Sequence, residues 1–235
     1  VMIGSKLSST GANSGGIIVA GDQATGQSSH TFFSAESSIS TGGRNSDGFV
    51  FGRIGNANDD FGTSTGSVTL DAVDISTSGA NSDAFFTGSL LAGSVMSTTI
   101  TNSSFSTSGD DSRAFITEAL GRDAVTALNI NSSDFSTKGS NSTAITLNDG
   151  SVFSTIGAAD KSLFDISVIA STVSTLGDNS RGLEIQTLGG DSATTRLSIG
   201  APLDGTAPTV VSAAGDNSDA LAIGTASAMG ALGSS

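Results

Sequence analysis

Eight variants of one seven-residue string recur along this chain, and few folds can accommodate that pattern. STSGANS at Ser76 to Ser82 returns as SSTGANS from Ser8, STGGRNS from Ser40, STSGDDS from Ser106, STKGSNS from Ser136 and STLGDNS from Ser174. SAAGDNS from Ser212 is a weaker copy, and STIGAAD from Ser154 a degenerate one. The central glycines are Gly11, Gly43, Gly79, Gly109, Gly139, Gly157, Gly177 and Gly215, at intervals of 32, 36, 30, 30, 18, 20 and 38 residues.

Positions outside the string test the alignment. Four residues before the glycine stand Leu7, Ile39, Ile75, Phe105, Phe135, Phe153, Val173 and Val211. Six residues after it stand Ile17, Phe49, Phe85, Phe115, Ile145, Leu163, Leu183 and Leu221. With 36% of the chain apolar, one fully apolar column of eight arises by chance roughly 3 times in 10,000. The column before the second is uniformly small: Gly16, Gly48, Ala84, Ala114, Ala144, Ser162, Gly182 and Ala220. This is a structural repeat rather than low complexity.

Each copy reads as strand, turn, strand. In F-S-T-S-G the apolar residue and the threonine two positions later share a face. G-x-N-S supplies residues that tolerate positive φ and make side-chain-to-backbone turn bonds. A third alternating stretch precedes most copies, for example Ser67 to Leu70, Val125 to Ile130 and Arg196 to Ile199. Three short strands in roughly 30 residues predict one coil of a parallel β-helix. The expected fold is therefore all-β, a single-domain β-solenoid over 1–235 of about eight coils, with 224–235 as a tail. The 18- and 20-residue intervals around Gly157 fit either a coil with a missing strand or an irregular insertion.

Stacking lets a chain this poor in apolar residues build a core, because each side chain sits on its equivalent about 4.8 Å away. Eight coils predict a rod roughly 40 Å long. Asn13, Asn45, Asn81, Asp111, Asn141, Asn179 and Asn217 fall at one turn position and are expected to form an amide ladder. A helical fold is excluded by the Gly, Ser, Thr and Asn content and the lack of a 3.6-residue stripe.

Composition narrows function. There is no Cys, so neither a disulfide framework nor a thiolate site can form. A net charge of −13 with nine scattered basic residues argues against nucleic acid. No apolar run reaches the length of a membrane span.

For glycoside chemistry the candidate carboxylate pairs are Asp59-Asp60 and Asp110-Asp111. Neighbouring residues diverge, however, Asp111 holds the ladder position, and no Trp or Tyr is present as a sugar platform. His30 is the one imidazole and has no nucleophile-elbow context, so it reads as a surface or turn residue. Asp59 and Asp60, within GNANDDFG, are the one local oxygen cluster for calcium, although a solvated loop explains them as well. Thr41, Thr77, Thr107, Thr137, Thr155 and Thr175 form a column that an ice-binding face would need. They share a face with the apolar column and are expected to point inward.

The STxGxNSxG copies with their small–apolar pair resemble the repeats in passenger regions of bacterial autotransporter-type surface proteins. These have the pectin-lyase-like right-handed parallel β-helix. The resemblance spans about Leu7 to Ile223. It implies export to a bacterial cell surface or extracellular matrix and an adhesive or matrix role, and it carries no site residue across. The anchoring barrel and signal peptide of that family are not in the sequence, which suits a released passenger or a fragment.

Two functions are then expected in order. The first is an extracellular structural subunit of a surface or biofilm-matrix fibre, since no cap sequence flanks the first or last copy and uncapped coils stack head to tail. The second is a monomeric adhesin rod whose ligand loops fall in the long Gly43–Gly79 and Gly177–Gly215 intervals, and a polysaccharide-active enzyme is a distant third.

Overall fold

The computed structural model describes residues 1–19, 29–55, 64–91, 93–118, 123–149, 163–186, 194–201 and 208–223. Every strand pairing among them is parallel and joins residues of successive coils. One coil shows the plan. Val95–Thr101 runs to a corner at Asn102, Ser104–Thr107 runs to the turn at Gly109, and Arg113–Glu118 forms the third face.

The first two faces belong to one 12-stranded sheet, and the third face is a 7-stranded sheet. In two early coils the first two strands are continuous, as Ser29–Thr41 and Thr65–Thr77, and bend through Glu36 and Ala72. That corner is the same in every coil where it is described. Gly4, Glu36, Ala72, Asn102, Ser132 and Ala170 all take left-handed φ between 48° and 57°. Only one of the six is a glycine, so the remaining five hold a conformation that costs a side-chain-bearing residue energy on its own. The coil geometry imposes it.

Both apolar columns form as the repeat implies except at the Gly157 copy, where Leu163 pairs instead with Val125 and Thr194 on the first face and Phe153 lies outside the described residues. Leu7, Ile39, Ile75, Phe105, Phe135, Val173 and Val211 lie in register. So do Ile17, Phe49, Phe85, Phe115, Ile145, Leu183 and Leu221. Phe85 stacks on Phe49 and on Phe115 at 4.9 Å between ring centroids, and Phe105 stacks on Phe135 at 4.8 Å. The two stacks meet edge to face, with Phe85–Phe105 and Phe115–Phe135 both at 6.1 Å. Offset and T-shaped pairs of this kind add about 0.5–1.5 kcal/mol each beyond burial. The small column is required because Ala84, Ala114 and Ala144 are fully buried, and a Cβ at Gly48 would press on Ile75 Cγ2 and the Ala84 carbonyl.

Where eight coils are expected, the described strands stack as seven levels. Leu183 pairs directly with Ile145, and Gly177 sits directly on Gly139, so the 38 residues between those glycines form one coil. The Gly157 copy contributes no level between them, and its own residues lie outside those described. Six spacings of about 4.8 Å put the end turns about 30 Å apart. Length variation collects after the third strand, where chain can be added without disturbing register. The last coil differs in carrying its extra residues between Gly200 and Val210. No helix among the described residues is long and apolar enough to cross a membrane.

Candidate functional site

The repeated turn is where the chain spends its invariant residues. The positive φ expected within G-x-N-S falls on one residue of the string. Asn13, Asn45, Asn81, Asp111, Asn141, Asn179 and Asn217 carry the left-handed φ, between 52° and 57°, and the glycines do not. Glycine is needed for space. A Cβ on Gly43, Gly79, Gly109, Gly139, Gly177 or Gly215 would fall on the carbonyl of the glycine one coil earlier. Two backbones approach too closely there for any side chain to fit.

The asparagines form a column, but the column is not chiefly an amide ladder. All seven side chains are exposed, and among the described residues one amide–amide bond links them, Asn45 Nδ2 to Asn13 Oδ1 at 3.2 Å. Their backbone N–H groups donate across coils, for example Asn81 to the Asp110 carbonyl at 3.0 Å.

Serine does the work expected of asparagine. Ser14, Ser46, Ser82, Ser112, Ser142 and Ser180 each donate their N–H to the Oγ of the serine one coil on, at 2.9–3.2 Å. The receiving Oγ donates in turn to the preceding coil's glycine carbonyl. Examples are Ser82 to Gly43 at 3.1 Å and Ser218 to Gly177 at 2.9 Å. Ser46, Ser82, Ser112 and Ser142 are fully buried, so these bonds meet a real need. A second serine ladder follows the left-handed corner. Ser103 N–H bonds Ser133 Oγ, and Ser133 N–H bonds Ser171 Oγ, both at 3.1 Å. Val73 interrupts it, donating to Ser103 but offering no acceptor.

The threonine column points inward. Thr41, Thr77, Thr107, Thr137 and Thr175 are 1–3% exposed, which removes them as an ice-binding face, and Thr155 lies outside the described residues. Thr77 and Thr137 donate to the carbonyls of Ser82 and Ser142, closing the turn from inside.

The carboxylates also serve the stack. Asp110 Oδ1 accepts the Ser140 N–H at 2.9 Å, while Asp111 sits exposed at a left-handed position. Asp47 Oδ1 accepts the Asp83 N–H at 2.8 Å, and Asp83 Oδ1 accepts the Arg113 N–H at 2.7 Å. Burial raises the Asp47 carboxyl above the ordinary aspartate value, and the hydrogen bond from Asp83 offsets part of that. Asp59 and Asp60 lie outside the described residues. Among the described residues no three His, Asp or Glu side chains converge as a metal site would require.

His30 is a correction. It pairs with Gly66 in a column that continues through Met96, Thr126 and Phe164, all buried, so it faces inward rather than to the surface. Its Nε2 is buried and has no hydrogen-bond partner among the described residues. No nucleophile or orienting carboxylate is hydrogen-bonded to that nitrogen among the described residues.

The ends of the stack differ from its middle. Leu7 is 37% exposed, Leu221 45% and Ile223 63%, whereas Ile39, Leu183 and Ile185 in the same columns are 0–3% exposed. The long-interval loops expected between Gly43 and Gly79 and between Gly177 and Gly215 fall largely on residues 56–63, 187–193 and 202–207, outside those described. Comparison with known proteins gives no match to a family model, to a curated protein or to a solved structure.

Proposed function

We propose that this chain is an extracellular structural subunit, a building block of a bacterial surface or matrix fibre formed by end-to-end stacking of β-solenoids. One observation carries the reading. Core columns that are sealed within the stack are exposed in its first and last described levels, with Leu7 in the first and Ile199, Leu221 and Ile223 in the last. Among the described residues each of these two levels also has a parallel strand with no neighbour on its outer side, an edge of the kind that pairs with another chain unless blocked. Two unlike, complementary ends make a heterologous contact that does not close, and its product is a filament. The resemblance of the repeats to autotransporter passenger regions supports the extracellular setting. No catalytic role is proposed: Asp47, Asp83, Asp110 and Asp178 accept backbone N–H groups of the next coil, and Glu184 and Asp165 pair with Arg181 and Arg196.

Negative-stain electron microscopy across a concentration series, with sedimentation velocity alongside, tests this. Unbranched filaments one solenoid wide, lengthening with concentration, are the expected result. Discrete short rods at every concentration would refute assembly and leave the lateral loops of an adhesin as the place to look.

A further inference from the structure

Every interior turn receives a neighbour on each side, and among the described residues the first and last turns each have one on a single side. Gly11 heads the first turn with an ordinary φ, and a Cβ there would meet only Ser14 Oγ, at 2.8 Å, a hydroxyl that can rotate away. Neither conformation nor packing among the described residues calls for glycine at this position. At the other six described turns, glycine is required by the carbonyl of the coil before. Ser14 Oγ accepts no described N–H and makes one long contact, to the Ala12 carbonyl at 3.5 Å. The N–H groups of Ala12 and Gly15 have no acceptor among the described residues.

The last turn lacks the opposite partners. Among the described residues, Ser218 N–H reaches no serine Oγ and the Gly215 carbonyl receives no hydroxyl. Asp216 and Asp219 are exposed, with no partner for either carboxylate among the described residues. Interior coils show what these groups do when a further coil is present. At the Asp216 position, Asp110 and Asp178 each accept the N–H of their equivalent in the next coil at 2.9 Å. At the Asp219 position, Asp47 and Asp83 do the same at 2.8 and 2.7 Å.

Placing a second copy on the last coil in ordinary register resolves all of these at once. Its Ala12 N–H meets Asp216, its Gly15 N–H meets Asp219, and its Ser14 Oγ lies between the Ser218 N–H and the Gly215 carbonyl. Its Gly11 then has the close carbonyl that explains a glycine. Resting on the end-to-end assembly above, we propose that the Gly215–Asp219 turn of one copy seats the Gly11–Gly15 turn of the next, so that the serine ladder runs unbroken through the junction.

Gly11→Ala separates junction from fold. The variant should melt within a few degrees of the wild type by circular dichroism, yet fail to form filaments, because its Cβ collides with Gly215 of the next copy. Asp216→Ala with Asp219→Ala should raise the concentration needed for assembly at least about tenfold, the effect of losing about 1.4 kcal/mol of bonding. The chain has no cysteine, so Asn13→Cys with Asn217→Cys should give a ladder of disulfide-linked multimers on a non-reducing gel, as the Asn13–Asn45 contact at 3.2 Å implies. Wild-type filaments together with a Gly11→Ala that assembles as readily, or with a cysteine pair that gives no ladder, would overturn this register and leave stacking intact. A wild type that sediments as one species throughout would overturn stacking itself, and a coil of a longer chain would then be the occupant of Gly11.

Discussion

Ser82→Ala is the substitution that shows whether serine or asparagine holds the coils together. Ser82 Oγ accepts the Ser46 N–H at 2.9 Å and donates towards the carbonyls of Gly43 at 3.1 Å and Ala80 at 3.2 Å. Both serines are fully buried. Alanine fits the space but leaves the Ser46 N–H with no acceptor, and an unsatisfied buried donor costs about 1–3 kcal/mol. About 2 kcal/mol is the expected loss.

Asn81→Gly is the matched comparison. Asn81 has φ 52° and an exposed side chain, and its N–H bond to Asp110 is a backbone bond that survives the change. Glycine adopts that φ without strain, and its greater freedom in the unfolded chain offsets the gain, so the net change should stay within about 0.5 kcal/mol. Urea unfolding followed by far-ultraviolet circular dichroism suits a chain without Trp or Tyr. Hydrogen exchange adds a local readout, in which the Ser46 amide should exchange about 30-fold faster in Ser82→Ala, the equivalent of 2 kcal/mol. Equal destabilisation by the two variants, or unchanged exchange at Ser46, would refute the serine-ladder argument and restore the amide ladder.

Three further outcomes follow from the same geometry. Gly109→Ala drives a Cβ into the Gly79 carbonyl and should cost about 3 kcal/mol in the urea midpoint, whereas Gly11→Ala should cost almost nothing in an unassembled chain. Phe115→Ala removes a fully buried ring stacked on Phe85 and edge-on to Phe135, with an expected loss of about 3–5 kcal/mol measured the same way. Asp47→Asn should be more stable than the wild type at pH 7. Burial raises the folded-state pKa of Asp47, so its ionisation opposes folding increasingly as pH rises from the unfolded aspartate value through the folded one. The advantage should vanish in acid, where the wild-type carboxyl is protonated in both states, and urea midpoints at pH 7 and in the acid range would check it.

How much of the fold is legible in the amino-acid order follows from what kind of signal each feature leaves. The apolar columns headed by Leu7 and Ile17 leave a strong one, because a buried position in every coil tolerates only apolar residues, and the recurrence repeats seven deep. The inward threonines follow from period two alone. The serine ladder leaves almost none, because serine is common throughout this chain and a serine that bonds the next coil looks like one that faces water. Asparagine drew attention instead as a residue suited to turns. The turn does use it, for its φ and only once for an amide–amide contact.

The 38 residues from Gly139 to Gly177 illustrate the same limit. A degenerate STIGAAD copy is indistinguishable in sequence from a poor coil, and only the pairing of Ile145 with Leu183 shows that no level intervenes. His30 belongs with it, since its inward direction depends on the register Ser29–Thr41 adopts against Thr65–Thr77.

Because period and burial constrain residue type directly, the amino-acid order is enough to establish that this chain is a stack of parallel coils and which residues recur at each level. Tertiary structure alone decided how many levels there are, why each turn glycine is required, and which polar groups join one coil to the next. Those depend on distances between segments some 30 or more residues apart, where two backbones come too close for a side chain and one hydroxyl can serve an amide and a carbonyl at once.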